Sequence, residues 1–169
     1  MPDVLYNRHT GIAIVEEMRR FVFPGLQVEV AGSLRRECPK IHDVDLVIMG
    51  NARDIRECLT GEKVQHITGG ARRIRFTYRS MPVDVCCVSW EWEWEPMLLH
   101  HTGSCEFNVF MRAIAKAKGY KLNEYGLEKL DGSSQLITNT EEVFGELQVR
   151  LIEPTLRSVI HSHAWERYS

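Results

Sequence analysis

The chain has 169 residues, enough for one domain or two small subdomains with a hydrophobic core. Hydrophobic residues make up 44% and charged residues 26%, which indicates a globular protein, and a formal net charge of −2 does not by itself indicate nucleic-acid binding. No apolar run approaches the length of a membrane span, and the N-terminal residues lack the hydrophobic segment of a signal peptide.

The N-terminal half predicts one helix followed by a series of strands. Thr10 is placed to cap a helix that ends near Val22, before Pro24-Gly25. Apolar runs rich in β-branched residues predict the strands that follow. The predicted elements are a helix over 10–22, strands over 28–31, 44–49, 64–68, 74–78 and 83–88, a short helix over 51–59, and a tight turn at Ser80-Met81-Pro82.

The C-terminal half predicts mainly helices, so the fold class is α+β. A helix over 97–101 is broken by Gly103-Ser104, and Thr140 is placed to cap a last helix that carries Glu141 and Glu142 in its first turn. The change of character near Glu95-Pro96 predicts a strand-rich part over 1–95 and a helix-rich part over 96–169. The strongest amphipathic helix spans 106–118, with Phe107, Met111, Ile114 and Lys118 on one stripe.

Two carboxylates lie within the apolar run at 44–48. Asp43 and Asp45 are two residues apart, so in a strand both side chains point to the same face. Like charges on one face raise each other's pKa, and a pair of divalent cations would relieve this repulsion and supply phosphoryl-transfer chemistry. The alternative is a surface strand with two solvated aspartates.

A third carboxylate, Asp84, alternates with Val83 and Val85 in another apolar strand. An aspartate at such a position is costly unless it is paired or bound to a metal. Because Asp84 follows Asp45 by 39 residues, a sheet can place it beside the first pair.

The segment before the carboxylates carries groups suited to phosphate. Gly32-Ser33 predicts a turn whose backbone N–H groups face a phosphate. Arg35 and Arg36 supply charge for other phosphate oxygens, although Arg35 can equally be a structural arginine. Further basic residues cluster at Arg72, Arg73, Arg75 and Arg79 and at Lys116, Lys118 and Lys121, which predicts a locally basic groove.

Two other patterns are less directly linked to chemistry. The five cysteines, Cys38, Cys58, Cys86, Cys87 and Cys105, show no disulfide or zinc spacing, so reduced thiols in an intracellular compartment are expected. The alternation of tryptophan and glutamate over 90–95 favours a strand end or hairpin with tryptophans inward and glutamates outward. Base stacking on tryptophan is the alternative, opposed by three glutamates that repel phosphates.

Residues 31–48 resemble the nucleotidyltransferase signature, a Gly-Ser pair followed by Asp-x-Asp. The segment LLHHTGSCEFNVFMRAIAKAKGYKLNEYGL over 98–127 is similar to the family X DNA polymerases, with Thr-Gly-Ser, a Phe-Asn on a helix, an arginine four residues later and Leu-Asn-Glu-Tyr-Gly-Leu. The resemblance implies a mixed-sheet palm with helices on one face over 1–95 and a smaller nucleotide-selecting subdomain over 96–169. The chain resembles the minimal viral members, which consist of palm and C-terminal subdomain only and lack the N-terminal lyase domain.

The resemblance also implies the chemistry of the palm. Asp43, Asp45 and Asp84 match the metal-binding triad, which would hold two Mg²⁺ ions with Mn²⁺ as a substitute. Asp84 matches the carboxylate nearest the primer 3′-OH. Ser33 and Arg36 match residues that hold the incoming triphosphate, and Gly32 gives the backbone room.

In the second subdomain the resemblance implies contacts to nucleotide and DNA. Gly103 and Ser104 match the clamp on the nucleotide sugar, and His100-His101 stand where many members have Tyr-Phe. Asn108 matches the residue that contacts the incoming base in the minor groove, and Arg112 the one on the template side. Val109 stands at a position that is basic or polar elsewhere. The residues expected to bind DNA are Arg72, Arg73, Arg112, Lys116, Lys118 and Asn123.

These patterns predict a DNA-directed DNA polymerase that fills short gaps in repair. Gapped or primer-template DNA and dNTP are the expected partners, a DNA ligase is a candidate partner, and a monomer without membrane contact is expected in a bacterial cytoplasm or a virus-infected cell. Two alternatives remain open: a template-independent nucleotidyltransferase on DNA or RNA ends, and a non-catalytic DNA-end scaffold. The face shared by Asn108 and Arg112 favours the polymerase over the first, and the intact triad opposes the second.

Overall fold

The computed structural model describes residues 4–133 and 135–158. Their elements follow the predicted α+β order. In chain order they are β1 (Tyr6–Asn7), α1 (Arg8–Phe21), β2 (Val28–Val30), α2 (Gly32–Arg35), β3 (Lys40–Ile41), β4 (Val44–Met49), α3 (Ala52–Cys58), β5 (Val64–Gly69), β6 (Arg73–Tyr78), β7 (Met81–Val88), a first 3₁₀ helix (Glu91–Glu93), α4 (Trp94–Thr102), α5 (Cys105–Ala117), β8 (Tyr120–Asn123), β9 (Gly126–Lys129), α6 (Thr140–Glu146) and a second 3₁₀ helix (Pro154–Ser158).

A five-stranded mixed sheet forms the centre of the first part of the chain. Its strand order is β2–β4–β7–β6–β5. Strands β4 and β7 are parallel, whereas the other neighbours pair antiparallel. The predicted α+β class with a mixed sheet is therefore confirmed, and β4 spans the predicted residues.

The two faces of this sheet are covered differently. Helices α1 and α3 pack on one face, where Leu46 of β4 and Val85 of β7 belong to the main hydrophobic core. On the other face, Met97 of α4 packs against Val47 and Cys86. Asp45 and Asp84 alternate with the core residues of their strands, so they lie on the face that carries α4, which leaves an open stretch of sheet beside that helix.

A second core forms in the C-terminal part. Phe107 and Met111 of α5 pack with Phe144 of α6 and with Leu127 of β9. The predicted boundary at Glu95-Pro96 falls within the first turn of α4, where proline is tolerated because its missing N–H costs no helical hydrogen bond. The division at residue 95 stays a prediction.

Two predicted helix caps are wrong by one or more residues. Helix α1 begins at Arg8 after the extended residue Asn7, and not at Thr10. Helix α6 is capped by Asn139, whose side chain accepts a hydrogen bond from the Glu142 N–H at 3.0 Å. Asparagine is at least as good an N-cap as threonine, and the N–H of Thr140 is instead bound by the Glu95 carboxylate at 2.6 Å.

Three local predictions also need correction. The predicted Gly32-Ser33 turn is instead the start of the short helix α2. The β6–β7 turn lies at Arg79 and Ser80, which both have positive φ, and Met81 and Pro82 belong to β7. On α5 the buried residue of the third turn is Ala115, whereas Lys118 follows the helix and is exposed.

The tryptophan–glutamate segment is not the predicted strand end or hairpin, although Trp94 packs against the core and Glu91 and Glu95 are exposed as predicted. It forms the first 3₁₀ helix and the start of α4, with Trp90 and Trp92 63% and 48% exposed and Glu93 only 2% exposed. Glu93 is stabilised inside by Arg72, whose Nη2 lies 2.7 Å from its Oε1. A buried carboxylate needs such a partner, and the sequence pattern alone does not show it.

None of the five cysteines, all in the described part of the chain, forms a disulfide. No helix within 4–133 and 135–158 has the length and apolar character needed to cross a membrane.

Candidate active site

The three predicted carboxylates meet beside the parallel pair of strands. Asp45 of β4 is directly opposite Asp84 of β7, and Asp43 lies two residues before Asp45. One oxygen from each of the three side chains lies within 4.8 Å of the others. Three carboxylate oxygens at this spacing form a donor set that suits hard divalent cations.

The electrostatics of the cluster favour a bound cation. Burial, followed by the charges of Asp43 and Asp84, raises the pKa of Asp45 to about 7. Burial and the charge of Asp84 also raise the pKa of Asp43. The cluster therefore holds its negative charge at a cost in the absence of a cation, which is the arrangement expected of a metal-binding site.

Asp84 has a cationic partner on the next strand. Arg75 of β6 is opposite Asp84, and its Nε and Nη2 donate to both carboxylate oxygens at 2.5 Å. The carboxylate raises the pKa of Arg75. The sequence analysis placed Arg75 in a basic cluster without assigning it a partner, because the pairing depends on which strands are neighbours.

Glycine at position 32 is required by the close approach of Asp45. Gly32 has φ +53°, and a Cβ there would lie 1.8 Å from Asp45 Oδ2. Helix α2 can therefore begin against the carboxylate only because this residue has no side chain. The prediction that Gly32 gives the backbone room is consistent with this geometry.

A cavity of about 600 Å³ lies beside Asp43 and Asp45. Every residue predicted to bind nucleotide contributes to its wall: Gly32, Ser33, Arg36, His100, His101, Gly103, Ser104 and Asn108. Arg112 and Val109 also line it. The fold thus brings together residues that are up to 80 positions apart in the sequence, from Gly32 to Arg112.

Two further residues of the cavity wall were not predicted. His42 and Cys105 both line it, and each directly adjoins a predicted residue, Asp43 or Ser104. Their position next to a predicted site residue was the only feature of the sequence that could have indicated this role. The side chain of Ser104 caps α5 by accepting from the Phe107 N–H, which fixes the start of the helix that carries Asn108.

The two histidines have different partners. Arg73 Nη2 lies 3.3 Å from His101 Nδ1, and His101 Nε2 lies 3.0 Å from Cys86 Sγ. Because the Arg73 guanidinium can only donate, His101 Nδ1 accepts. The ring proton of neutral His101 is therefore on Nε2, which donates to Cys86 Sγ. Burial is the main reason that the pKa of His101 is lowered to about 4, so its ring is neutral near neutral pH. Both of its nitrogens are engaged within the protein.

His100 links the cavity to helix α5. Its ring Nδ1 lies 3.2 Å from Arg112 Nη2, and its backbone carbonyl accepts from Asn108 Nδ2 at 2.8 Å. Burial and the charge of Arg112 lower the pKa of His100. Asn108 and Arg112 therefore face the same side of α5, as their spacing of four predicts, and both contact α4 in this structure.

The residues predicted to bind DNA are distributed over two regions. Arg72 and Arg73 line a smaller cavity that adjoins the two histidines, with Tyr125 under the Arg72 guanidinium at 5.1 Å from the ring centre. Lys116 and Lys118 lie at the far end of α5, and Lys118 donates to Gln148. Asn123 Oδ1 accepts from the Tyr125 N–H in the β8–β9 turn. Their contact with DNA stays a prediction.

Comparison with known proteins agrees with this geometry. Residues 97–158 match the family model described as DNA polymerase beta thumb. The structure is similar to that of Leishmania infantum polymerase beta in a ternary P/T complex, with a TM-score of 0.75 and 20% sequence identity. The superposition covers 92% of this chain and 77% of that one. This likeness concerns the fold.

Two relatives are more similar to this chain in sequence than the polymerase beta structure is. The chain is 31% identical over 135 residues to the DNA polymerase/3′-5′ exonuclease PolX of Bacillus subtilis, with 75% of this chain and 23% of the relative covered. It thus spans about a quarter of that protein. It is 33% identical over 168 residues to the repair DNA polymerase X of an African swine fever virus isolate, covering 81% of this chain and 90% of the viral protein. With a third of its residues identical over nine-tenths of a viral polymerase X and a matching carboxylate cluster, the chain belongs to the family X DNA polymerases.

Proposed function

We propose that this chain catalyses template-directed transfer of dNMP from dNTP to a primer 3′-OH, with two divalent cations and with short gaps in damaged DNA as its substrate. The observation that carries the proposal is the register of Asp45 opposite Asp84, with Asp43 alongside. Asp43 and Asp45 of this cluster line the cavity that holds the phosphate- and nucleotide-binding candidates. The names of the viral and bacterial relatives support DNA polymerisation in repair.

The three carboxylates are suited to hold the metal ions. Mg²⁺ or Mn²⁺ held by them would supply activation of the primer hydroxyl and stabilisation of the charge on the leaving pyrophosphate. Asp84 is the candidate acceptor for the proton of the 3′-OH. In this structure Arg75 engages both of its oxygens, so Arg75 must release at least one of them for that role.

Arg36 and Ser33 are placed to bind the triphosphate. Both line the cavity on the side of α2, next to Asp45. A guanidinium at this position offsets negative charge that develops on the leaving phosphates. Gly32 allows this wall to lie against the metal-binding carboxylates.

His100, His101, Gly103 and Ser104 line the same cavity, where the sugar of the nucleotide would lie. The neutral ring of His101 has both nitrogens engaged by Arg73 and Cys86, so it presents an immobile surface. Asn108 and Arg112 line the cavity from α5 and are the candidates for minor-groove contact with the new base pair.

Primer extension tests the proposal. Purified protein is supplied with one dNTP at a time on gapped, primer-template and single-stranded DNA, with Mg²⁺, with Mn²⁺ or with EDTA. We expect the templated nucleotide to be inserted at the gap and no product with EDTA. Asp45→Asn should abolish insertion, whereas Glu62→Gln, at an exposed carboxylate, should not change it.

The outcomes separate the alternatives. Equal insertion of all four nucleotides with and without template would identify a template-independent nucleotidyltransferase. Binding to gapped DNA without insertion under any metal condition would identify a DNA-end scaffold. Insertion by Asp45→Asn at the wild-type rate would contradict the metal-binding role.

A further inference from the structure

Ser158, at the end of the second 3₁₀ helix, contacts Arg36 across 122 residues of sequence. Ser158 Oγ accepts a hydrogen bond from Arg36 Nε at 2.8 Å. We propose that Ser158 is a positioning residue that orients the Arg36 guanidinium for the triphosphate of the incoming nucleotide. This inference rests on the proposed function, which gives Arg36 that role.

The hydrogen bonds of Arg36 show which donors remain for a ligand. Nη1 donates to the backbone carbonyl of Thr102 at 2.5 Å, and Nε donates to Ser158. A guanidinium has five N–H donors in one plane, so fixing two of its nitrogens fixes the direction of the third. Nη2 has no hydrogen-bond partner in the described part of the chain, and Arg36 lines the nucleotide cavity.

Ser158 is held in place by its neighbour. Arg157 is 5% exposed, its guanidinium carbon lies 4.5 Å from the centre of the Phe107 ring, and its Nε donates to the Ile152 carbonyl at 2.8 Å. This anchors the backbone of the second 3₁₀ helix to the C-terminal core. Cys38 Sγ, which follows α2, lies 3.3 Å from Ser158 Oγ, so the hydroxyl has two contacts on the α2 side.

The chemistry of the contact suits orientation better than neutralisation. A hydroxyl accepts from Nε without cancelling the guanidinium charge, whereas a carboxylate at position 158 would form an ion pair that competes with the phosphates. Both fixed contacts of Arg36 come from the C-terminal part, because Thr102 ends α4 and Ser158 ends the second 3₁₀ helix. The C-terminal part thus sets the geometry of a phosphate-binding group carried by α2.

The test measures single-turnover insertion on one gapped DNA as dNTP concentration is varied. Ser158→Ala should raise the dNTP concentration for half-maximal rate by about three- to tenfold, because an exposed intramolecular hydrogen bond that orients the Arg36 guanidinium is lost. The rate at saturating dNTP should change less than about twofold, because the bound triphosphate itself holds the Arg36 guanidinium in the productive orientation. Ser158→Thr keeps the hydroxyl and should restore the wild-type value.

The controls distinguish positioning from a structural role. Thr155→Ala removes a hydroxyl from an exposed residue of the same 3₁₀ helix and should behave as wild type. Melting temperature and affinity for gapped DNA should be unchanged in Ser158→Ala. Equal losses of DNA and dNTP affinity in Ser158→Ala, or no rescue by Ser158→Thr, would overturn the inference.

Arg36→Ala separates this inference from the proposed function. If Arg36→Ala loses dNTP affinity while Ser158→Ala matches wild type, the positioning role is wrong and the triphosphate role of Arg36 stands. If Arg36→Ala itself keeps wild-type dNTP affinity, the proposed role of Arg36 fails and the inference falls with it. Ser158→Asp should weaken dNTP binding more than Ser158→Ala does, and tighter binding by Ser158→Asp would overturn the orientation argument.

Discussion

Arg75 and Asp84 face each other across the paired strands β6 and β7, and the guanidinium donates to both carboxylate oxygens. Asp84 is also one of the three carboxylates of the metal-binding cluster. Arg75 therefore occupies the ligand atoms that a divalent cation would need, and the two cations compete for one carboxylate.

This competition predicts that Arg75→Gln needs less Mg²⁺ for activity. The side chain of Arg75 is 69% exposed, so the pair is screened by solvent and contributes at most about 1 kcal/mol, which corresponds to a shift of up to about fivefold in the half-maximal Mg²⁺ concentration. A Mg²⁺ titration of single-nucleotide insertion measures it. Arg53→Gln, at an exposed arginine on α3, is the control. A higher Mg²⁺ requirement in Arg75→Gln would show that Arg75 assists the site.

The raised pKa of Asp45 predicts how stability depends on pH without metal. The pKa is about 7 in the folded protein and about 4 in an unfolded chain. The unfolded state therefore loses its proton first, and the metal-free fold loses stability as pH rises from about 4 to about 7.

Asp45→Asn removes this loss. In EDTA at about pH 8 we expect the variant to be more stable than wild type by on the order of 2 kcal/mol, and the difference to vanish near pH 4. Thermal unfolding at several pH values measures it, and added Mg²⁺ should stabilise wild type but not the variant. A variant that is less stable at both pH values would contradict the repulsion argument.

Gly32→Ala should disable the site through Asp45. A Cβ at position 32 would lie 1.8 Å from Asp45 Oδ2, so α2 or the carboxylate must move. A displacement of this size at reacting groups costs about a hundredfold in rate. Gly25→Ala is a matched control, because Gly25 also has positive φ but nothing lies within 4 Å of the added Cβ.

Insertion rates and melting temperatures for both glycine variants separate the two effects. We expect a similar loss of stability from the unfavourable φ in each, about 1 kcal/mol, and loss of activity in Gly32→Ala alone. Normal activity in Gly32→Ala would mean that α2 shifts without disturbing the metal-binding carboxylate.

Arg112→Ala should reduce discrimination between matched and mismatched nucleotides. Arg112 contacts His100 and shares a helix face with Asn108 at the end of the cavity. A charged hydrogen bond to the minor groove contributes about 1.5–3 kcal/mol, so correct insertion should slow by about ten- to a hundredfold and mismatched insertion by less. Lys116→Ala, on the same helix but outside the cavity, is the control: as a predicted DNA-backbone contact it should weaken DNA binding without changing the ratio of matched to mismatched insertion. Single-turnover rates for matched and mismatched dNTPs decide the prediction, and equal losses for both would remove Arg112 from base-pair checking.

The sequence by itself determined the elements that carry the chemistry. Strand β4 has its predicted bounds because Val44 and Leu46 alternate with Asp45 in an otherwise apolar run, and this local pattern needs no long-range information. The same alternation placed Asp84 in an apolar strand. The stripe through Phe107 and Met111 similarly predicted α5, which carries Asn108 and Arg112.

Only the tertiary structure decided the partners of charged groups. The sequence showed a basic cluster over 72–79 but not its partners. Strand pairing places Arg75 beside Asp84. Arg72 forms an ion pair with Glu93, and Arg79 forms one with Glu17. Glu93 is buried for this reason, against the alternation that predicted it to be exposed. Ion pairs depend on distances between segments that no local pattern encodes.

The same limit applies to the site itself. The sequence predicted three carboxylates and a set of nucleotide-binding residues, but their assembly requires the parallel register of β4 and β7 and the packing of α4 over the sheet. Ser158 was not predicted, because a hydroxyl 122 residues from Arg36 carries no local signal. Local periodicity fixes which side of an element a residue occupies, whereas the packing of the elements decides what that residue contacts.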